Sequence, residues 1–249
     1  MEKRVLVIGD SCTDVYVYGS CTRLCPDAPV PVFIPEFRKE NKGMAGNVYE
    51  NLLSLHIGAE LLTNEGSVEK TRYVEQNTNH MIVRVDSGEE KIKRIENLQA
   101  VDFDKYDAIA ISDYDKGFLS HEDIEFISTQ HSLVFMDTKK ILGAWAQNVS
   151  FIKINEIEYE RTRYTLVNKI WADQSLIITR GSEGCSYRGE IFPVSKVEIK
   201  DLSGAGDTFL AAMVAKYLET INIRTSLRFA NKCATVVVQQ KGVNTINDV

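Results

Sequence analysis

The chain has little of what marks several functional classes. Its 249 residues include only four histidines, with no triad or metal spacing among them, so they read as structural or surface residues. The five cysteines, Cys12, Cys21, Cys25, Cys185 and Cys233, form an odd set with no Cys-x-x-Cys pair. Reduced thiols fit them better than disulfides or zinc. No apolar run is long enough to span a bilayer. The start, Met1-Glu-Lys-Arg, is followed only by Val5 to Ile8, too short for a signal-peptide core. A cytoplasmic protein without a membrane partner is expected. Positive charge is also in deficit: 29 Lys and Arg face 35 Asp and Glu, for a net charge of −6. With no basic cluster, a nucleic-acid partner held through phosphates is not expected. Repeats, low-complexity segments and linkers are missing too, so 1–249 reads as one domain. Apolar content of 44% and charged content of 26% suit a soluble globular protein.

What is present is organised around Asp201-Leu-Ser-Gly-Ala-Gly-Asp207-Thr-Phe209. Gly204, Ala205 and Gly206 leave backbone N–H groups uncovered in a loop that feeds a helix at once. Phe209, Leu210, Met213, Val214, Tyr217 and Leu218 give that helix an apolar face. Free amides and a helix dipole favour an anion at such a place. Asp207, set beside it, suits a general base that takes a proton from an attacking hydroxyl. Taken alone, it also suits a helix N-cap.

Strands and helices alternate along the rest. Arg4 to Gly9 reads as a buried strand, with Asp10 and Asp14 just beyond its end, where open α/β sheets bind ligands. Asp10 reads equally as the cap of a turn. Val15–Gly19 and Val30–Phe37 are β-rich, the second around Pro29, Pro31 and Pro35, as in an edge strand. Together with a hairpin over 71–86 they suggest a small sheet standing off the main one. A helix is expected over Val48–Leu55, and Asn47 reads as its N-cap or as a donor to a ligand oxygen. Arg72 and Arg84 suit a substrate phosphate, or stand as solvated strand charges. Strands at 107–112, 133–136, 151–154 and 176–179 alternate with helical segments, which argues for a parallel sheet with right-handed crossovers. Two short strands around Arg188-Gly-Glu190 and a final helix over Thr225–Gln240 complete the pattern.

The 201–209 word resembles the C-terminal signature of the ribokinase-like (PfkB) sugar kinases. Asp14-Val-Tyr-Val-Tyr-Gly19, Arg23 to Val32 and Ser112-Asp-Tyr-Asp-Lys-Gly117 are similar to the kinase module of heptose 7-phosphate kinases. The resemblance implies a three-layer α/β/α sandwich with a mostly parallel sheet. It adds a β lid from about 15–38 and 71–86, and a sheet edge trimmed after Ala59–Thr63. It implies that Asp207 is the base and that the 204–206 amides hold the transferred phosphoryl group. Asp14, Gly43, Asn47, Arg72, Arg84, Asp113, Lys116 and Lys139 would bind the sugar phosphate. Met44 stands where the family pattern has a second Gly, the residue that lets backbone approach the sugar. Asn155, Glu158, Thr179, Arg180, Gly184 and Asn231 would face the nucleotide, with Glu158 also organising Mg²⁺ through water; alone, Glu158 reads as a first-turn acid. The implied cofactors are ATP and Mg²⁺, with a monovalent cation left open. The implied reaction is phosphorylation of a sugar phosphate, foremost the anomeric hydroxyl of D-glycero-D-manno-heptose 7-phosphate in lipopolysaccharide-precursor synthesis, by a homodimer joined at the lid. Another sugar, or a degenerate kinase that binds without turnover, are the alternatives. Activation to a nucleotide sugar, which a fused domain supplies in some heptose enzymes, is expected to fall elsewhere.

Overall fold

Val5, Leu6, Val7 and Ile8 are each at most 3% exposed, as an apolar strand covered on both faces requires. The computed structural model describes residues 3–246; Met1 and Glu2 of the basic start, and 247–249, lie outside it. The chain runs β1 (Arg4–Gly9), β2 (Ser11–Ser20), β3 (Ile34–Met44), α1 (Ala45–Ser54), β4 (Gly58–Thr63), β5 (Glu69–Glu75), β6 (His80–Ser87), β7 (Ala108–Asp113) and α2 (His121–Gln130). It continues with β8 (Val134–Thr138), β9 (Phe151–Asn155), α3 (Glu156–Thr162), α4 (Ile170–Ser175), β10 (Leu176–Thr179), β11 (Cys185–Tyr187), β12 (Glu190–Phe192), α5 (Ala205–Thr220) and α6 (Ile223–Val237).

The main sheet has the order β12-β11-β10-β9-β8-β7-β1-β4. It is parallel from β4 through β10 and antiparallel at β11 and β12. Alternate residues of each strand feed two cores. Val5, Val7, Ala108, Ala110 and Phe135 meet α1, α5 and α6 on one face. Leu6, Ile8, Ile109, Ile111 and Met136 meet α2 on the other. Each large side chain buried in this way contributes about 1.5–3 kcal/mol. The result is three layers, α/β/α. Among the helices, α5 departs from the one-faced pattern expected of it. Ala211, Ala212 and Ala215 are buried along with Phe209, Leu210, Met213 and Val214. Small residues on its remaining sides let neighbouring elements close around it.

The second sheet has the order β3-β2-β5-β6. Pro35 lies in the edge strand β3, while Pro29 and Pro31 fall outside it. That strand starts later and runs further than the β-rich 30–37 segment expected, reaching Met44 at the start of α1. Tyr16 and Tyr18 from β2, and Val74 from β5, pack on Val243, which follows α6. This contact seats the second sheet against the end of the main one where the 201–207 loop lies. The chain passes from β4, the main sheet's edge, to β5 through residues 64–68 alone.

Candidate active site

The loop before α5 is fixed at its base by Asp201. Its carboxylate accepts from the backbone N–H of Ser203 (2.8 Å) and of Gly242 (3.0 Å). Gly204 is the N-cap of α5 at φ +79°, a left-handed conformation that glycine takes without steric cost. A Cβ there would stand 2.7 Å from Asn47 Nδ2. The amide of Ala205 turns back to Leu202 O (3.3 Å), so it is less available than the sequence implied. Among the described residues the N–H groups of Gly204 and Gly206 have no partner, and they open onto the first turn of a buried helix.

Asp207 lies in that first turn and is not its cap. It is 3% exposed. Tyr114 donates its hydroxyl to Oδ1 (2.7 Å), and Asn47 donates Nδ2 to Oδ2 (3.1 Å). Burial pushes the carboxyl up to about 6; the two donors and Lys153 oppose this, and the charge of Asp137 adds to it. An acid tuned near neutral pH in a dry site suits proton abstraction. Asn47, at the start of α1, therefore caps nothing. The cap position belongs to Met44 at φ +60°, ψ −130°. There the Met backbone takes a glycine-like conformation, and its side chain buries against Cys12 and Val68.

Two cavities meet at this loop. One, of 480 Å³, is walled by Val194, Val197, Ile199, Leu202, Phe209, Ala234 and Val238, and also touches Thr179, Gly184, Asn231, Ala205 and Gly206. The other, of 340 Å³, is polar and lined by Asp14, Met44, Lys70, Arg72, Arg84, Tyr114, Lys116, Lys139, Ser203, Gly204 and Asp207. The first is a slot for a flat apolar group; the second gathers five cationic side chains beside two carboxylates.

The residues singled out by sequence distribute unevenly over this geometry. Asp14 is buried and ion-paired to Arg72. Gly43 is pressed against it: a Cβ there would stand 2.1 Å from Asp14 Oδ2. Arg84 pairs with Asp86, and Lys116 with Glu89, both at 2.6 Å. Lys139 reaches Glu158 (2.6 Å) and Asp137 (3.5 Å); burial works against its charge, yet these two carboxylates hold its ammonium above the usual range. Asn231 is buried and donates to Phe192 O (2.7 Å). Asp113 is not brought to the polar cavity. It binds Lys140 (2.7 Å) and Thr138, because the Lys139-Lys140 pair splits between the cavity and the sheet end. Asn155 and Glu158 form a reciprocal capping box on α3, and Arg180 pairs with exposed Glu156 (3.2 Å); none of the three lines either cavity. Asp10 resolves as a turn cap, accepting from the N–H groups of Tyr114, Lys116 and Phe118.

Sequence reasoning passed over Tyr114, Lys70 and the Lys153–Asp137 pair. Lys153 is 3% exposed, bonds Asp137 (2.6 Å) and lies 2.9 Å from where a Gly206 Cβ would stand, behind the amide loop. Its position in a strand, two residues before Asn155, carries no local signal beyond a charge in an apolar run.

Residues 56–249 match the model of the pfkB family carbohydrate kinases. Bifunctional protein HldE from a Nitratiruptor species is 32% identical over 297 residues, covering 98% of this chain, which spans 63% of that relative's length. A protein of the same name from Helicobacter pylori is 28% identical, with 96% and 64% covered. Among solved structures, ribokinase from Thermotoga maritima has a TM-score of 0.72 at 14% identity, covering 98% of this chain and 95% of that one. Arabidopsis thaliana ribokinase complexed with ribose and ATP has a TM-score of 0.69 at 14% identity, covering 100% and 96%. The fold is ribokinase-like, and the match over most of its sequence shows that the chain belongs to the pfkB family of carbohydrate kinases.

Proposed function

We propose that this chain transfers the γ-phosphoryl group of ATP to the anomeric hydroxyl of a sugar phosphate, foremost D-glycero-D-manno-heptose 7-phosphate. The observation that carries this reading is the buried Asp207 and its amide loop at the junction of an apolar cavity and a cationic one. The apolar slot suits the adenine, with Thr179, Gly184 and Asn231 at its wall. The cationic cavity suits a phosphorylated acceptor: Arg72, Arg84, Lys116 and Lys139 take its phosphate and Asp14 its hydroxyls. Asp207 accepts the proton of the attacking hydroxyl, and that oxygen displaces ADP from the γ-phosphorus in line. The amides of Gly204 and Gly206 neutralise charge on the transferred group, with Lys153 behind them.

No cluster of three acidic, histidine or cysteine ligands occurs among the described residues. Mg²⁺ carried on the triphosphate takes few protein carboxylates, and Glu158, 2.6 Å from the cavity-lining Lys139, is the one that would reach it through water. When bound, Mg²⁺ would offset charge on the phosphates. The second sheet serves as a lid on a single kinase domain. Its Val83 and Val85, on the face of β6 opposite Arg84, are 48% and 49% exposed and supply an apolar strip for a homodimer. No helix among the described residues is long and apolar enough to cross a membrane.

The test is ADP release from MgATP against a panel of free sugars and sugar phosphates. Turnover with the heptose 7-phosphate supports the reading. Turnover of another sugar alone removes the heptose, and silence with ATP still bound points to a binder without turnover.

A further inference from the structure

We propose that Tyr114 is the positioning residue of the Asp207 base: its hydroxyl donates to Oδ1 while two ammonium groups of the acceptor cavity stand over its ring. The inference rests on Asp207 being the base. Every part of Tyr114 is anchored. Its backbone N–H donates to buried Asp10 (2.7 Å). Its ring centroid lies 5.4 Å from Lys70 Nζ and 5.2 Å from Lys139 Nζ. Its hydroxyl stands 2.7 Å from Asp207 Oδ1. With Asn47 holding Oδ2, the carboxylate keeps one orientation, and its remaining lone pairs serve the acceptor hydroxyl in the cavity that Tyr114 and Asp207 both line.

Toward the Asp207 carboxylate, which has no proton to give, the phenol acts as the donor. Burial, then the charges of Asp207 and Asp137, raise it well above its ordinary range, so it stays protonated at any working pH. The bond therefore favours the ionised, active form of Asp207. The other charged and titratable groups acting on Asp207 are Asp137 from β8, Lys153 from β9, Lys139 beyond β8 and the buried Cys12 thiol of β2, itself pushed up to about 12 by burial first of all. None of them replaces a donor taken from Oδ1.

Tyr114→Phe removes the hydroxyl and keeps the ring beneath the two lysines. In protein labelled with ¹³C at the aspartate carboxyl, the Asp207 resonance is assigned by its loss in Asp207→Asn. Its titration midpoint is expected to rise by about one pH unit in Tyr114→Phe, the size of one bond to a charged group. The acid limb of kcat/KM for MgATP and heptose 7-phosphate rises by the same amount, while KM for ATP and the melting temperature stay near wild type. An unmoved midpoint overturns the proposal, as does an equal loss of rate at every pH. A wild-type protein without turnover, whose midpoint still moves in the variant, overturns the kinase reading and supports the hold of Tyr114 on Asp207.

Discussion

Asn47 and Asp207 lie 160 positions apart, yet Nδ2 of the first stands 3.1 Å from Oδ2 of the second. The bond ties the start of α1 to the start of α5. It also makes the amide loop intolerant of a side chain, since Asn47 fills the space where a Gly204 Cβ would be. Replacing Asn47 by Asp keeps the shape and exchanges a donor for a like charge. The Asp207 carboxyl then moves above its present value of about 6, because two adjacent carboxylates resist ionising together. The acid limb of the rate profile is expected to rise by at least about one pH unit, measured as kcat/KM from pH 5 to 9.

Asp207 also carries a stability cost. Its folded value of about 6 lies above the reference 3.8, so the folded state binds the extra proton between those two pH values. Stability therefore falls as pH rises through that window and stays lowered above it. A shift of this size is worth on the order of 2–3 kcal/mol. Asp207→Asn removes it, and Tyr114 can rotate its hydroxyl to accept from the new amide. Urea unfolding of wild type and variant is expected to diverge in the variant's favour from about pH 4 to 6 and to stay apart at pH 7.5.

Gly204→Ala meets both a φ of +79° and the Asn47 amide. A loss of about 1–3 kcal/mol is expected from the strained backbone alone. Turnover falls too, because relief requires the amide loop or Asn47 to move. Denaturant midpoints and kcat measured on one preparation check this together.

Ala234 lies on the wall of the apolar cavity and is only partly buried. Ala234→Leu adds bulk to the slot assigned to adenine. ATP binding is expected to weaken at least about tenfold, or 1.4 kcal/mol, with the melting temperature kept and the acceptor KM unchanged. Calorimetric titration of ATP into the variant reads this directly.

The fold was legible where the chain repeats one local rule. Apolar runs closed by Gly or a small polar residue marked the parallel strands, and their carboxyl ends carry many of the candidate residues. The 201–209 word marked the amide loop and the helix start because small residues have few other reasons to cluster there. Boundaries drifted where tertiary contact decides them: α1 begins at Ala45 because Met44, not Asn47, takes the cap position. The site was less legible for the same reason. Tyr114 meets Asp207 over 93 positions, and the Ser112–Gly117 word around it, though singled out, says nothing of that contact. Lys139 and Lys140 are adjacent and alike, yet the strand end turns one toward the cavity and gives the other to Asp113. A capping box and a metal-organising Asn-x-x-Glu are the same letters; Asn155 and Glu158 form the capping box, and Glu158 also meets Lys139 at 2.6 Å.

The most direct test of the account is the rate of phosphoryl transfer from MgATP to heptose 7-phosphate by wild type and Asp207→Asn, with ATP affinity measured on both. The account expects turnover to fall by about 10²–10⁴-fold in the variant, with ATP binding and fold intact. A variant that keeps wild-type turnover would contradict it, as would one that loses ATP binding along with activity.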